Sequence, residues 1–237
     1  MKTIKKYIKL LGYGLQIKTM LILSIVFIAL GIVYEMIDLN GTGLIPFSGL
    51  YLALAGMYIY QVVITASIST LVQVSSVKKK LQCAVPVIFT TCSLLVTFTV
   101  FVIMRLYNAK NKFSKNNPDM DVDFVYVQIL VTAVLIAFIF LYFAFSYRFY
   151  VISTVVLCIV LLPTLLLFVR GDWSFTASFL NFVKNIKANF GNAGVIALAY
   201  LILLAGAGLC YLANWAMYRK PLSSIAYRTA LRQAQTK

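Results

Sequence analysis

The stretch "FVYVQILVTAVLIAFIFLYFAFSYRFYVISTVVLCIVLLPTLLLFV", Phe124–Val169, decides the fold. It holds a single charge, Arg148. As one helix it would run about 69 Å at 1.5 Å per residue, more than twice the roughly 30 Å hydrocarbon core of a bilayer. It must therefore turn, and "FSYRF" is where it can. The stretch counts as two spans, 124–145 and 149–169.

Four more runs have the same character: 19–37, 44–74, 84–106 and 193–217. The whole chain of 237 residues is 62% hydrophobic and 11% charged, with a mean hydropathy of +0.93. A soluble domain has about 45–50% apolar and about 25% charged residues. This composition leaves too little polar surface for a water-soluble globule. The fold class is an all-α integral membrane protein, with residues 1–237 forming one transmembrane domain of six helices. No small-x-small cleavage pattern follows the first run, which reads as an uncleaved span.

Charge sets the orientation. With six spans both termini share a side, and 14 of the 21 basic residues fall there: the N-terminal arm, Lys78–Lys80, Arg148 and the tail. The positive-inside rule places that side in the cytoplasm, for a multi-pass protein of the cell membrane. Arg105, Lys110, Lys112, Lys115, Arg170, Lys184 and Lys187 fall outside. So do all six acidic residues, Glu35, Asp38, Asp119, Asp121, Asp123 and Asp172. The net charge of +15 then belongs to the membrane surface, where anionic lipid headgroups attract it. No soluble module offers a basic patch to nucleic acid, so membrane lipids are the expected partners of this charge.

Several chemistries lack their residues. The chain has no histidine, and Cys83, Cys92, Cys158 and Cys210 form no CxxC pair, so no metal site is expected and the thiols read as small apolar packers. No GxxxxGK[ST] loop is present for a nucleotide. A catalytic set for an intramembrane enzyme cannot be named. Glu35 comes nearest to a charge inside a span, but it lies within one turn of the outer end. A side-chain relay for ion coupling is thus missing, and any transport work needs energy from elsewhere.

The segments between spans carry their own patterns. In the N-terminal arm Ile4, Ile8, Leu11 and Leu15 share a face, with Lys2, Lys5, Lys6 and Lys9 opposite. This predicts a basic amphipathic helix over Met1–Ile17 in the cytoplasmic interface, as an anchor, as an elbow into span 1, or as both. After the long span 2, Ser75 or Ser76 can cap a short helix carrying Lys78, Lys79, Lys80 and Leu81. These lysines read either as a positive-inside anchor or as a docking turn for a partner. Pro86 sits where the first turn of span 3 tolerates proline.

Span 2 carries a polar file, Gln61, Thr65, Ser69 and Gln73, each four residues on. Polar side chains in hydrocarbon need partners, so this face turns inward. Helix packing and a transport path both account for it. Gly49, Ala53 and Gly56 on span 2, and Ala205–Cys210 on span 6, allow close helix approach. Pro163 is expected to kink span 5.

Before span 6, Phe175, Phe179, Phe182, Val183, Ile186 and Phe190 fall within an arc of roughly 100°. Asn181, Lys184 and Lys187 fall opposite. Asp172 or Ser174 can start this helix and Gly191 can end it. It is too polar to cross a bilayer and too apolar for water, so it is expected to re-enter the outer leaflet as a gate.

This order of parts resembles the membrane subunits of six-span ABC exporters, the type-two ABC permeases. They have a cytoplasmic interfacial helix before span 1, a coupling helix after a long span 2, and amphipathic helices between spans 5 and 6. The matching segments are Met1–Ile17, about Ser75–Gln82 and Asp172–Asn192. The resemblance covers the whole chain and rests on architecture, with no diagnostic string. It implies a permease half-unit that pairs with a second copy or a sister permease, and that has no enzymatic activity of its own. Separate ABC ATPase subunits would bind the ATP and magnesium, with no cofactor in this chain, and would dock at Ser75, Ser76, Lys78–Lys80 and Leu81. The implied substrate is amphipathic or hydrophobic, such as an exported peptide. The alternative is a non-transporting immunity or sensor protein that binds a peptide at its outer face.

Overall fold

The computed structural model describes residues 17–37, 44–68, 78–110, 122–161 and 174–220. The described residues form helices and no strand. They comprise α1 (Ile17–Ile37), α2 (Phe47–Ile68), α3 (Lys78–Asn108), α4 (Val122–Ser146), α5 (Tyr150–Val156, continued as a π-helical turn through Leu161) and α6 (Ser174–Ala216). Five of them are long and apolar enough to cross a membrane: α1, α2, α3, α4 and α6. The expected fifth span, 149–169, is described only through 161, as a shorter apolar helix.

The turn expected inside the opening stretch is present. α4 stops at Ser146 and α5 starts at Tyr150. The amides of Arg148 and Phe149 both donate to the Phe145 carbonyl, which closes the reversal.

α1 has its polarity reversed relative to a helix in water. Its buried residues are Ser24, Gly31 and Glu35, whereas Ile22, Ile25, Val33 and Met36 are exposed. In water this would waste the apolar surface. In lipid the hydrocarbon solvates the branched side chains, and the small and polar positions find partners inside the bundle. Ser24 Oγ accordingly donates to the Ala55 carbonyl of α2 at 3.4 Å.

α4 forms the centre. Its partners are α6, α2, α3 and α5, while α1 sits at the periphery on α2 and α3. Aromatic pairs tie the layers: Tyr60 of α2 stacks on Phe143 of α4 at 4.9 Å, and Tyr200 of α6 meets the edge of Phe98 of α3 at 5.3 Å. The small residues act as the sequence suggested. A Cβ on Gly206 would lie 2.7 Å from the Ala137 backbone, so glycine at that position lets α6 and α4 cross this closely.

Two expectations are corrected. Lys78–Leu81 is no separate short helix but the first turn of α3, which begins six residues earlier than the expected span. Pro86 therefore lies in the interior of α3 and no longer in its first turn. The segment from Ser174 to Phe190 is helical as expected, and Gly191 separates it from the last span. The helical backbone breaks at Gly191, where φ is 69° and ψ −176°, so that α6 consists of an arm before the glycine and a spanning helix after it. That backbone conformation is open to glycine and strained for other residues, so the glycine stops the first helix as expected and sets the kink into the span. The interfacial helix Met1–Ile17, apart from its last residue, lies outside the described residues, as do Ser69, Gln73, Ser75, Ser76, Pro163 and Asp172.

Candidate functional site

α1 ends, α2 begins, α3 ends and α4 begins at one end of the bundle, and each contributes a polar side chain there. Glu35 sits in the last turn of α1 and Arg105 in the last turn of α3. Arg105 Nη1 lies 3.3 Å from Glu35 Oε1, and both side chains are buried, at 0% and 1% exposure. Ser48, in the first turn of α2, donates to Glu35 Oε2 at 2.7 Å. Arg105 Nε donates to Gln128 Oε1 of α4 at 3.1 Å, and Nη2 donates to the same oxygen. Asn108 Nδ2 donates to the Glu35 backbone carbonyl at 2.7 Å, which satisfies one of the carbonyls left open where α1 stops.

Both ions are thus enclosed in hydrogen bonds, the condition under which a buried pair persists. The arrangement is also favourable to each helix. The carboxylate lies against the positive N-terminal turn of α2, and the guanidinium lies in the negative C-terminal turn of α3. One cluster fixes the relative height of four helices.

An apolar crevice of about 80 Å³ runs from this cluster along α1, α2 and α3. Glu35 and Ser48 line one end, and Ile28, Leu52, Val96 and Phe101 line the rest. Ile32, Val96 and Val100 stand exposed at its mouth. Its volume is below the roughly 150 Å³ that holds a benzene ring, so it takes an alkyl end or one small side chain.

A second polar layer lies at the opposite end. Tyr60 Oη accepts from Asn214 Nδ2 at 2.9 Å. Cys83 Sγ lies 3.5 Å from the Asn214 carbonyl. Arg148, in the α4–α5 turn, donates to the carbonyls of Tyr218 and Lys220 just beyond α6. Burial lowers the Arg148 pKa from its ordinary value, against opposing effects of Cys83, Tyr60 and Tyr218.

The residues proposed for ATPase docking divide. Lys79 and Lys80 are exposed and Lys78 is half-buried, while Leu81 is fully buried within this chain. Leu81 is therefore a core residue of α3 and no free anchor. In the polar file, Gln61 and Thr65 are half-buried. The Thr65 hydroxyl donates within its own helix, to the Gln61 and Val62 carbonyls. The inward polar contact of α2 at this level is made by Tyr60, which is not a member of the file.

The arm of α6 before Gly191 also divides its expected face. Val183 is buried, and Phe179, Leu180 and Ile186 are half-buried. Phe182 and Phe190 are exposed, at 49% and 74%. Phe175 belongs to the helix, but its side chain is outside the described set. Lys187, expected on the opposite face, instead pairs with Asp123 at the start of α4 and lies 5.6 Å from the Tyr126 ring. The inner side of the arm is thus apolar with one paired cation at its end, and two phenylalanines face outward.

No catalytic or metal-binding residue was named from the sequence. Among the described residues no group of three or more Asp, Glu, His or Cys side chains gathers. The Glu35–Arg105 cluster was missed. Its signal was present: opposite charges in the last turns of spans 1 and 3, which run in the same direction and so end at the same level. Comparison of the chain with protein-family models, curated proteins and solved structures gives no match.

Proposed function

We propose that the protein is the membrane-spanning permease subunit of an ATP-driven exporter of the ABC type. It moves an amphipathic or hydrophobic substrate, such as a peptide, out of the cytoplasm or the inner leaflet. The protein lies in the cell membrane with both termini in the cytoplasm and works beside a second permease copy or a sister permease. Separate ATPase subunits bind ATP and magnesium and hydrolyse the nucleotide, so this chain is no enzyme by itself.

The observation that carries the reading is the arm of α6. It is amphipathic, uncovered at Phe182 and Phe190, held at its end by Lys187 on Asp123, and joined to the last span through Gly191. An element of this kind can lie across the outer mouth of a pathway and turn about its glycine as substrate leaves. The apolar crevice ending at Glu35 and Ser48 adds a place for the apolar part of an amphiphile. In this reading Gln61 and Thr65 line the path, with Ser69 and Gln73 on the same helical file. Ser75, Ser76, Lys78, Lys79 and Lys80 face the ATPase.

A second reading has one observation in its favour. Leu81 is buried inside the chain and is not itself free as an apolar anchor for an ATPase. A non-transporting immunity or sensor protein would need no such anchor and would hold a peptide on the same outer arm. Reconstitution separates the two. The chain, placed in proteoliposomes with an ABC ATPase subunit that co-purifies with it, should move a labelled amphipathic peptide when ATP is supplied. Peptide binding without ATP-dependent movement would replace the exporter by the sensor.

A further inference from the structure

Basic and aromatic side chains from three elements meet at the Lys79 end of the bundle. Lys79 Nζ, in the first turn of α3, lies 5.7 Å from the Trp215 ring and 5.9 Å from the Tyr218 ring. Lys220 Nζ, just past α6, lies 4.8 Å from the Phe149 ring in the α4–α5 turn. Arg148 of that turn holds the carbonyls of Tyr218 and Lys220. Lys79, Lys80, Arg219 and Lys220 are all exposed.

Nothing acidic in the sequence adjoins this end. Glu35 and Asp123 belong to the opposite end of the bundle. Asp38, Asp119, Asp121 and Asp172 adjoin, in sequence, the end of α1 and the starts of α4 and α6.

The cations differ in how their charge is met. Arg148 sits on carbonyls just past the C-terminus of α6, the negative end of the helix dipole. Lys78, Lys79 and Lys80 occupy the first turn of α3, with no acidic residue in that turn. The dipole in a helix's first turn is positive. Three ammonium groups at that position oppose the helix. The ring faces of Trp215 and Tyr218 attract Nζ without cancelling its charge. An anion seated between α3 and α6 would satisfy both.

The rim identifies the source of that anion. Tyr211, Leu212 and Trp215 are neighbours at three- and four-residue spacing on α6, exposed at 39%, 56% and 55%. On a membrane-spanning helix this surface faces acyl chains, and tryptophan and tyrosine collect at the headgroup boundary. A soluble anion would make no use of such a rim.

We propose that the first turn of α3, the α4–α5 turn and the end of α6 form a binding site for an anionic phospholipid. Lys79 and Lys220 hold its phosphate, and Trp215 packs against its glycerol and upper acyl carbons. The site rests on the membrane-spanning fold and requires neither an ATPase nor export; it draws Lys79 from the face that the permease reading turns to the ATPase and leaves Ser75, Ser76, Lys78 and Lys80 there, so lipid retention and ATPase association are read separately.

The test uses the full chain in nanodiscs of phosphatidylcholine doped with phosphatidylglycerol. Lipid retained after release from the disc is read by native mass spectrometry. The wild type should keep phosphatidylglycerol in preference to phosphatidylcholine. Lys79→Gln with Lys220→Gln should lower that preference roughly tenfold or more, since each basic residue near an anionic surface contributes measurably. Lys79→Arg with Lys220→Arg should retain it, and Lys110→Gln with Lys184→Gln, an equal charge loss at the other end, should leave it unchanged. Undiminished preference in the Gln pair at the Lys79 end would overturn the site. So would an equal fall in the pair at the other end, which would make the effect diffuse charge. Full competition by soluble glycerol phosphate would overturn the lipid assignment.

Discussion

Glu35 of α1 and Arg105 of α3, 70 residues apart, meet at 3.3 Å with almost no solvent exposure. Their value to the fold depends on both being present. Removing one partner of a buried pair costs about 3–5 kcal/mol, because the other charge stays buried without compensation. Replacing both can be nearly neutral. Glu35→Gln and Arg105→Met should therefore each destabilise the purified protein by about 3 kcal/mol or more. The double variant should recover at least half of the summed loss, as the Gln amide oxygen still accepts from Ser48 and Asn108 keeps its bond to the backbone carbonyl of residue 35. Thermal unfolding in detergent, followed by intrinsic fluorescence, measures this. Strictly additive losses would show that the two charges do not act as a pair.

The elements that were legible in the sequence are those fixed by composition over many residues. The reversal at Ser146–Phe149 follows from length alone, and the apolar runs follow from the bilayer's thickness. Places where two distant segments meet were less legible. Arg105 reads as one of several basic residues at a span's end until α1 brings Glu35 to it. Lys187 reads as the polar face of an amphipathic arm until Asp123 of α4 claims it. The start of α3 was placed late because three lysines look like a loop, whereas Leu81, Gln82 and Cys83 bury directly behind them. Single-helix periodicity cannot see a neighbour's surface, and each of these residues is placed by one.

The crossing of α6 over α4 offers a sharp steric test. A Cβ at Gly206 would stand 2.6 Å from the Ala137 Cβ, while one at Gly208 would meet nothing within 4 Å. Gly206→Ala should cost about 1–3 kcal/mol through overpacking. Gly208→Ala should be neutral or stabilising by up to about 1 kcal/mol from helix propensity. Comparable midpoints of thermal unfolding for the two variants would mean that this crossing is looser than its distances imply.

Orientation can be read from intact cells. The charge count places Lys79 inside and Lys115 outside. Single cysteines at the two positions, in a chain whose four native cysteines are replaced, should react with a membrane-impermeant maleimide from opposite sides. Cys83 and Cys210 are buried and Cys92 and Cys158 exposed on helices, so serine or alanine at all four is a modest change. Reaction of both sites from outside would remove the six-span topology and, with it, the cytoplasmic docking surface.

The arm of α6 gives the prediction closest to function. Val183 is buried against the bundle, whereas Phe182, its neighbour in sequence, is 49% exposed and Phe190 is 74% exposed. Phenylalanine buries on the order of 150–250 Å² when covered, too much to leave in water. The outward side of the arm must therefore lie in lipid or against a substrate. Phe182→Asp should lift that side from the apolar layer and impair export while the protein still assembles. Asn181→Asp, an equal charge at an already polar position, should do little. Val183→Asp buries an unpaired charge and should fail at the level of folding, which calibrates what a structural defect looks like in the same assay. Gly191→Ala should act differently again. It places a side chain at φ 69°, costing on the order of 1–3 kcal/mol of strain unless the bend relaxes, with no neighbour in the way. If the bend is where the arm turns, Gly191→Ala should slow transport in reconstituted vesicles while peptide binding and the amount of assembled protein stay constant. Equal loss in Phe182→Asp and Val183→Asp, with full transport by Gly191→Ala, would reduce the arm to packing against α4 and leave the outer gate without a moving part.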